Sequence, residues 1–147
     1  MIGIRCALVL LAVIGISGCT EHAADPPQPA TTTTPVETLT PLVERALPNV
    51  PGKTFTSAVV EFPPGARAAP HRHGDAFVYA YVLEGTVRSQ VDDSPIAVYH
   101  QGQNWVEQPG AHHVLTENTS QTEPAKLLVA FVANTGDKLK VDDPQSK

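Results

Sequence analysis

Gly65-Ala66-Arg67-Ala68-Ala69-Pro70-His71-Arg72-His73, answered later by Gly102-Gln103-Asn104-Trp105-Val106-Glu107-Gln108-Pro109-Gly110-Ala111-His112-His113, sets three imidazoles inside a frame of glycines. Alternate side chains of a β-strand point to one face. His71 and His73 therefore share a face, roughly 6.5–7 Å apart along the strand, where both rings can reach one ion. The third ring, His113, has to arrive from a distant strand. Gly65, Gly85, Gly102 and Gly110 fall at the junctions between apolar runs, where tight turns need a residue that tolerates positive φ.

Outward from these stretches the chain reads as short strands separated by turn residues, the pattern of a sandwich or small barrel. Thr54 to Phe62 is rich in β-forming residues and ends at Pro63-Pro64-Gly65. Ala76 to Leu83, Thr86 to Val91, Ile96 to Tyr99, Trp105 to Glu107, His112 to Glu117 and Lys126 to Val132 complete seven candidate strands. No helical period appears, so the fold class is all-β. Phe77, Tyr79 and Tyr81 share one strand face, read as packed against the opposing sheet, and Trp105 reads as core. Arg88 and Gln90 are either solvent residues or polar groups of a pocket.

These residues resemble the two glycine-framed motifs of the cupin superfamily, a double-stranded β-helix or jelly-roll barrel. The first family motif is Gly, five residues, His-x-His, three or four residues, Glu, six residues, Gly. Gly65, His71, His73 and Gly85 match it, and Val78 stands at the Glu position. The second is Gly, five residues, Pro-x-Gly, two residues, His, three residues, Asn. Gly102, Gly110 and His113 match, with Gln108 and Glu117 at the Pro and Asn positions. The resemblance covers roughly Pro48 to Ala133 and implies a barrel, but cupins span many activities and some have lost their metal, so function has to come from the site.

In metal-binding cupins three His and one Glu hold the ion at the barrel mouth, and the resemblance carries over His71, His73 and His113 without the carboxylate. Three imidazoles suit a divalent transition metal, Fe, Mn, Zn, Ni or Cu, and leave positions open for water and substrate. Without a carboxylate the ion keeps its full charge, which favours a small anionic molecule as ligand. Two acids offer a replacement. Asp75 continues the series begun by His71 and His73, though Gly74 breaks the strand before it, and Glu117 shares the face of His113 only where no bulge intervenes. His112 alternates away from the ion.

The flanks carry other signals. Met1 to Arg5 is positively charged, Cys6 to Ile16 is apolar but too short to span a membrane, and Ile16-Ser17-Gly18-Cys19 resembles the lipobox of bacterial lipoproteins. That resemblance implies a signal peptide over 1–18, acylation at Cys19 and, with Thr20 following, a periplasmic domain anchored to the outer membrane of the cell envelope. An ordinary cleaved signal and an uncleaved anchor are the rival readings. Cys6 would leave with the signal and Cys19 would be capped, so no disulfide is expected. Residues 19–48, rich in Pro, Thr and Ala, read as a tether. Within it, Leu39, Leu42, Val43 and Ala46, with the adjoining Leu47, fit one amphipathic turn or an edge strand. The barrel is expected over 49–135 and a fraying polar tail over 136–147.

The 147 residues leave room for one modest core, and the net charge of −5 with scattered basic residues disfavours nucleic acid and gives no footprint for an anionic membrane surface. Three functions fit. The first is a metal-dependent, oxygenase-like cupin acting on a small anionic molecule. The second is a non-catalytic periplasmic barrel that captures a metal or small ligand. The third is a barrel with a vestigial pocket whose outer sheet makes a homodimer.

Overall fold

Residues 34–144 are described by the computed structural model, and among them there are eleven strands and no helix. In chain order these are β1 Thr38–Ala46, β2 Lys53–Phe62, β3 Arg67–Ala68, β4 His71–Arg72, β5 Phe77–Glu84 and β6 Thr86–Val91. They continue with β7 Ala97–His100, β8 Asn104–Glu107, β9 His112–Glu117, β10 Ala125–Asn134 and β11 Val141–Asp142. Each of the seven strands expected from sequence is present, with ends within two residues of the expectation.

The strands form two antiparallel sheets whose inner faces meet in a jelly roll. One sheet runs β1-β2-β10-β5-β8, and the other β11-β4-β9-β6-β7 with β3 beside β9. Strand β10 shows why the sequence folds this way. Ala125, Leu127, Val129, Phe131 and Ala133 are buried, while the residues between them are only partly covered. That period of two commits one face to the core, and each large apolar side chain so buried contributes about 1.5–3 kcal/mol. Gly85 turns β5 into β6 at φ 73°, and a Cβ there would lie 2.5 Å from the carbonyl oxygen of Pro124. Only glycine meets both demands.

Three expectations are corrected. The inward face of β5 is Val78, Ala80 and Val82, while Phe77, Tyr79 and Tyr81 point outward and lie across the ladder from Val132, Ala130 and Leu128. Both sets are apolar, so alternation alone carries no phase, and the smaller set fills the buried interior. Strand β1 lies inside the segment read as tether and pairs with β2 along its length, which corrects that part of the tether reading, and of the two alternatives held for Leu39 to Leu47 the edge strand is the one present. The tail does not fray at its start: β11 pairs with β4, and Asp143 N–H donates to Pro70 O at 2.8 Å. These contacts use backbone groups that composition does not report. The segment read as a signal peptide, 1–18, the expected acylation site Cys19 and the segment read as tether up to residue 33 lie outside the described residues.

Candidate metal centre

The three histidines come together at the inner wall of the second sheet. His71 on β4 and His113 on β9 face each other directly across the ladder, and His73 follows two residues after His71 on the same side. All three are buried, and one donor atom from each can be chosen so that the set lies within 4.8 Å. The expected convergence is therefore present, and such a set could hold a metal ion.

Hydrogen bonds fix how two of the rings present their nitrogens. His71 Nδ1–H donates to Ala69 O at 2.7 Å, and His73 Nδ1–H donates to Leu139 O at 2.5 Å. A carbonyl oxygen can only accept, so each Nδ1 carries the proton and each Nε2 of a neutral ring carries a lone pair. The two Nε2 atoms stand 3.2 Å apart. Burial depresses His71 from the ordinary 6.5 to about 4, against the opposing pull of the Ala69 hydrogen bond, and burial also lowers His73. At neutral pH both rings are uncharged, and two lone pairs face each other with no proton between them. Metal-bound histidines typically donate the second ring N–H to a backbone carbonyl or carboxylate in this way, which orients the ring and raises its basicity.

His113 is held from its other side. Ser89 Oγ and Thr116 Oγ1 lie 2.8 and 2.5 Å from its Nε2, while its Nδ1 stands 3.0 Å from Glu107 Oε1. Thr116 reaches the ring because β9 bulges. Gln90 pairs with Leu115 but Val91 pairs with His113, so Val114 is an extra residue and the facing inverts beyond it. The same bulge removes Glu117, which faces outward and pairs with Arg88 at 2.5 Å. Asp75 is exposed in the turn after His73 and does not join the cluster. Neither acid considered from sequence stands among the three rings. His112 points away from them, its Nε2 2.7 Å from Asp143 Oδ2.

One acid does reach the site, and sequence reasoning missed it. Glu107, on β8 of the opposite sheet, is 2 % exposed and projects toward the histidines. Its Oε1 accepts the Trp105 indole N–H at 3.2 Å, and its Oε2 lies 3.6 Å from His73 Nε2 with no hydrogen-bond partner. Burial alone would raise this carboxyl. The hydrogen bond and charge of His113, with His73 and the Trp105 N–H, outweigh that and hold it below its ordinary range. The signal that could have found it is local: Trp105 reads as core, and residue i+2 of a strand shares its face.

A cavity of about 320 Å³ opens beside the cluster, small for a ligand pocket. The rest of its lining is mostly apolar, including Val60, Phe62, Leu127, Val129 and Phe131. Its polar lining is the histidine cluster with Glu107, two threonines, Glu44 and the pair formed by Lys140 and Glu37, 2.6 Å apart. Lys140 also meets Asp142 at 3.0 Å, so the one Lys or Arg of the lining among the described residues is already neutralised.

Comparison with known proteins agrees with this architecture. The cupin domain family matches residues 58–131, half of the chain. No curated protein matches the sequence. Among solved structures, a double-stranded β-helix domain protein from Klebsiella pneumoniae is 17% identical with a TM-score of 0.58, covering 80% of this chain and 90% of its own. The cupin domain of Schizosaccharomyces pombe Cnp3 is 17% identical with a TM-score of 0.57, covering 67% of this chain, which spans 62% of that domain. An oxalate oxidase in complex with glycolate is 23% identical with a TM-score of 0.57, covering 76% of this chain and 57% of the oxidase. At these identities the likeness is one of fold.

Proposed function

The chain belongs to the cupin domain family, and from that membership and the opposed lone pairs of its site we propose that it binds a divalent transition metal through His71, His73 and His113 and acts with it on a small organic molecule. The observation that carries the reading is the 3.2 Å approach of two Nε2 atoms whose Nδ1 protons are both committed to backbone carbonyls. Two lone pairs so placed repel unless a proton or a cation lies between them, and burial resists the proton. Bound there, a divalent ion supplies Lewis acidity and open positions, and Fe, Mn, Zn, Ni and Cu all accept imidazole.

The cavity favours action on an organic ligand over storage of the ion. A storage site needs no room beside it, yet here about 320 Å³ lined by apolar side chains adjoins the histidines. With Lys140 already paired, no free cation among the described residues lines the cavity to hold a carboxylate away from the cluster. The ligand class is therefore a small molecule with an apolar body and one anionic, metal-seeking group, such as a thiolate, enolate or phenolic acid. The apolar walls hold the body and exclude water from the reacting end.

Elemental analysis of the purified protein tests the metal: about one transition metal per chain is expected, and none in His71→Ala/His73→Ala/His113→Ala. Equal metal in both proteins would refute the site. Oxygen consumption by the iron-loaded protein with thiols, diketones and phenolic acids then separates oxygenase-type turnover from simple capture. The envelope anchor at Cys19 stays part of the proposal on its sequence signal alone. Labelling of cells with a radioactive fatty acid should mark the wild-type chain and not Cys19→Ser, and equal labelling of both would remove the anchor.

A further inference from the structure

The geometry points to Glu107 as the fourth protein donor of this centre, a carboxylate moved one strand sideways from the place where cupins usually carry it. The inference rests on the metal reading above and deepens it. At the usual Glu position of the first motif the chain has Val78, buried on the inward face of β5. Directly across the ladder from Val78 stands Glu107 on β8. Opposite residues of an antiparallel pair send their side chains to the same face from Cβ atoms about 4.5–5.5 Å apart. A carboxylate on either strand can therefore reach the same space in front of the histidines.

The atoms in that space have the separations of a coordination shell. Donors about 2.1 Å from one ion stand about 3.0 Å apart when adjacent and about 4.2 Å apart when opposite. The observed distances are 3.2 Å between His71 Nε2 and His73 Nε2 and 3.6 Å between His73 Nε2 and Glu107 Oε2, while His113 Nδ1–H donates to Glu107 Oε1 at 3.0 Å, a proton that an ion bound there would displace. Glu107 Oε2 is also a buried oxygen with no hydrogen-bond partner. Such a group is costly to leave unmatched, and His73 Nε2, 3.6 Å away, offers it a lone pair instead of a proton. A cation satisfies all these atoms together. The Trp105 N–H on Oε1 steadies the carboxylate and leaves Oε2 free for the ion.

Two consequences follow for the ligand and the metal. Three imidazoles and one carboxylate leave a divalent site with a single positive charge, so a monoanionic ligand brings it to neutrality, as suits an apolar cavity. The mixed nitrogen and oxygen donor set fits Fe, Mn, Zn or Ni better than a soft monovalent ion.

Cobalt(II) is the probe for the test, since its visible bands report the donor set. The purified protein is stripped with chelator, reloaded with cobalt and titrated against a chromophoric chelator, with circular dichroism to show that each variant is folded. Glu107→Gln keeps the size of the side chain and an oxygen for Trp105. Its cobalt affinity should fall by more than about 100-fold, beyond the range of a partner that merely orients a ligand, and its visible bands should shift. The exchange Val78→Glu/Glu107→Val should recover affinity and the wild-type bands.

Unchanged bands in Glu107→Gln, with affinity within about tenfold of wild type, would overturn the inference. An exchange variant that binds no better than Glu107→Gln would overturn the shared-space argument. Failure is separable from that of the underlying reading. Wild-type protein that takes up no cobalt sinks both, whereas loss of cobalt in the triple histidine variant alongside full retention in Glu107→Gln sinks this inference alone.

Discussion

The metal-free protein should lose stability on mild acidification because His71 is folded into a place that refuses a proton. Its conjugate acid is depressed from the ordinary 6.5 to about 4, chiefly by burial. In the unfolded chain the same ring takes up a proton as pH falls through about 6.5, and in the folded chain it does not until about pH 4. The unfolded state alone gains from acid over that window. At about 1.4 kcal/mol per pH unit, the differential amounts to about 3 kcal/mol, absent above pH 6.5 and fully developed by pH 4. His73, also depressed by burial, acts in the same direction. The assay is urea unfolding in chelator at several pH values between 7.5 and 4, run on wild type and His71→Gln. Groups common to both proteins cancel in the difference, so the wild type should lose about 3 kcal/mol more than the variant across the window. Parallel pH profiles for the two proteins would refute the claim that this ring is buried and uncharged.

Removing residues 138–147 takes away the Leu139 carbonyl that fixes the His73 ring and the β11 pairing beside His71. Metal affinity should fall by about 10–100-fold, measured by chelator competition, since an orienting partner and not a donor is lost. Gly85→Ala combines positive φ with a Cβ 2.5 Å from a backbone oxygen, and should cost at least about 2 kcal/mol in urea unfolding. Asp75→Asn changes an exposed turn residue apart from the cluster, and should leave metal content equal to wild type and stability within about 0.5 kcal/mol.

Much of the barrel was legible because alternation and glycine spacing are local. Strand β10 announces itself by five core residues at a period of two, and His71-x-His73 announces a shared face. Where both faces of a strand are apolar the phase is lost, as in β5, where the large aromatics turn outward and Val78, Ala80 and Val82 fill the interior. The bulge at Val114 was equally hidden, because one extra residue in β9 leaves no trace in composition, yet it decides that Thr116 and not Glu117 faces His113. Strand β11 depends on backbone pairing with β4, which a polar tail sequence does not advertise.

The carboxylate shows the limit most clearly. Acids close in sequence to the histidines, Asp75 and Glu117, drew attention, whereas the one that meets them comes from the other sheet. Charge at a core-facing position was the available sign: Trp105-x-Glu107 puts a carboxylate on the same face as a buried indole. A buried acid of that kind needs partners for both oxygens, and the fold supplies them on one side alone: His113 and the Trp105 N–H meet Oε1, while Oε2 has no hydrogen-bond partner.

The central claim is that the three rings share one cation, and anomalous diffraction from a crystal grown with cobalt or zinc tests it most directly. One strong peak should appear about 2.1 Å from both His71 Nε2 and His73 Nε2, within bonding reach of His113. A difference map with no peak between those rings, or with metal only on surface residues, would contradict the account.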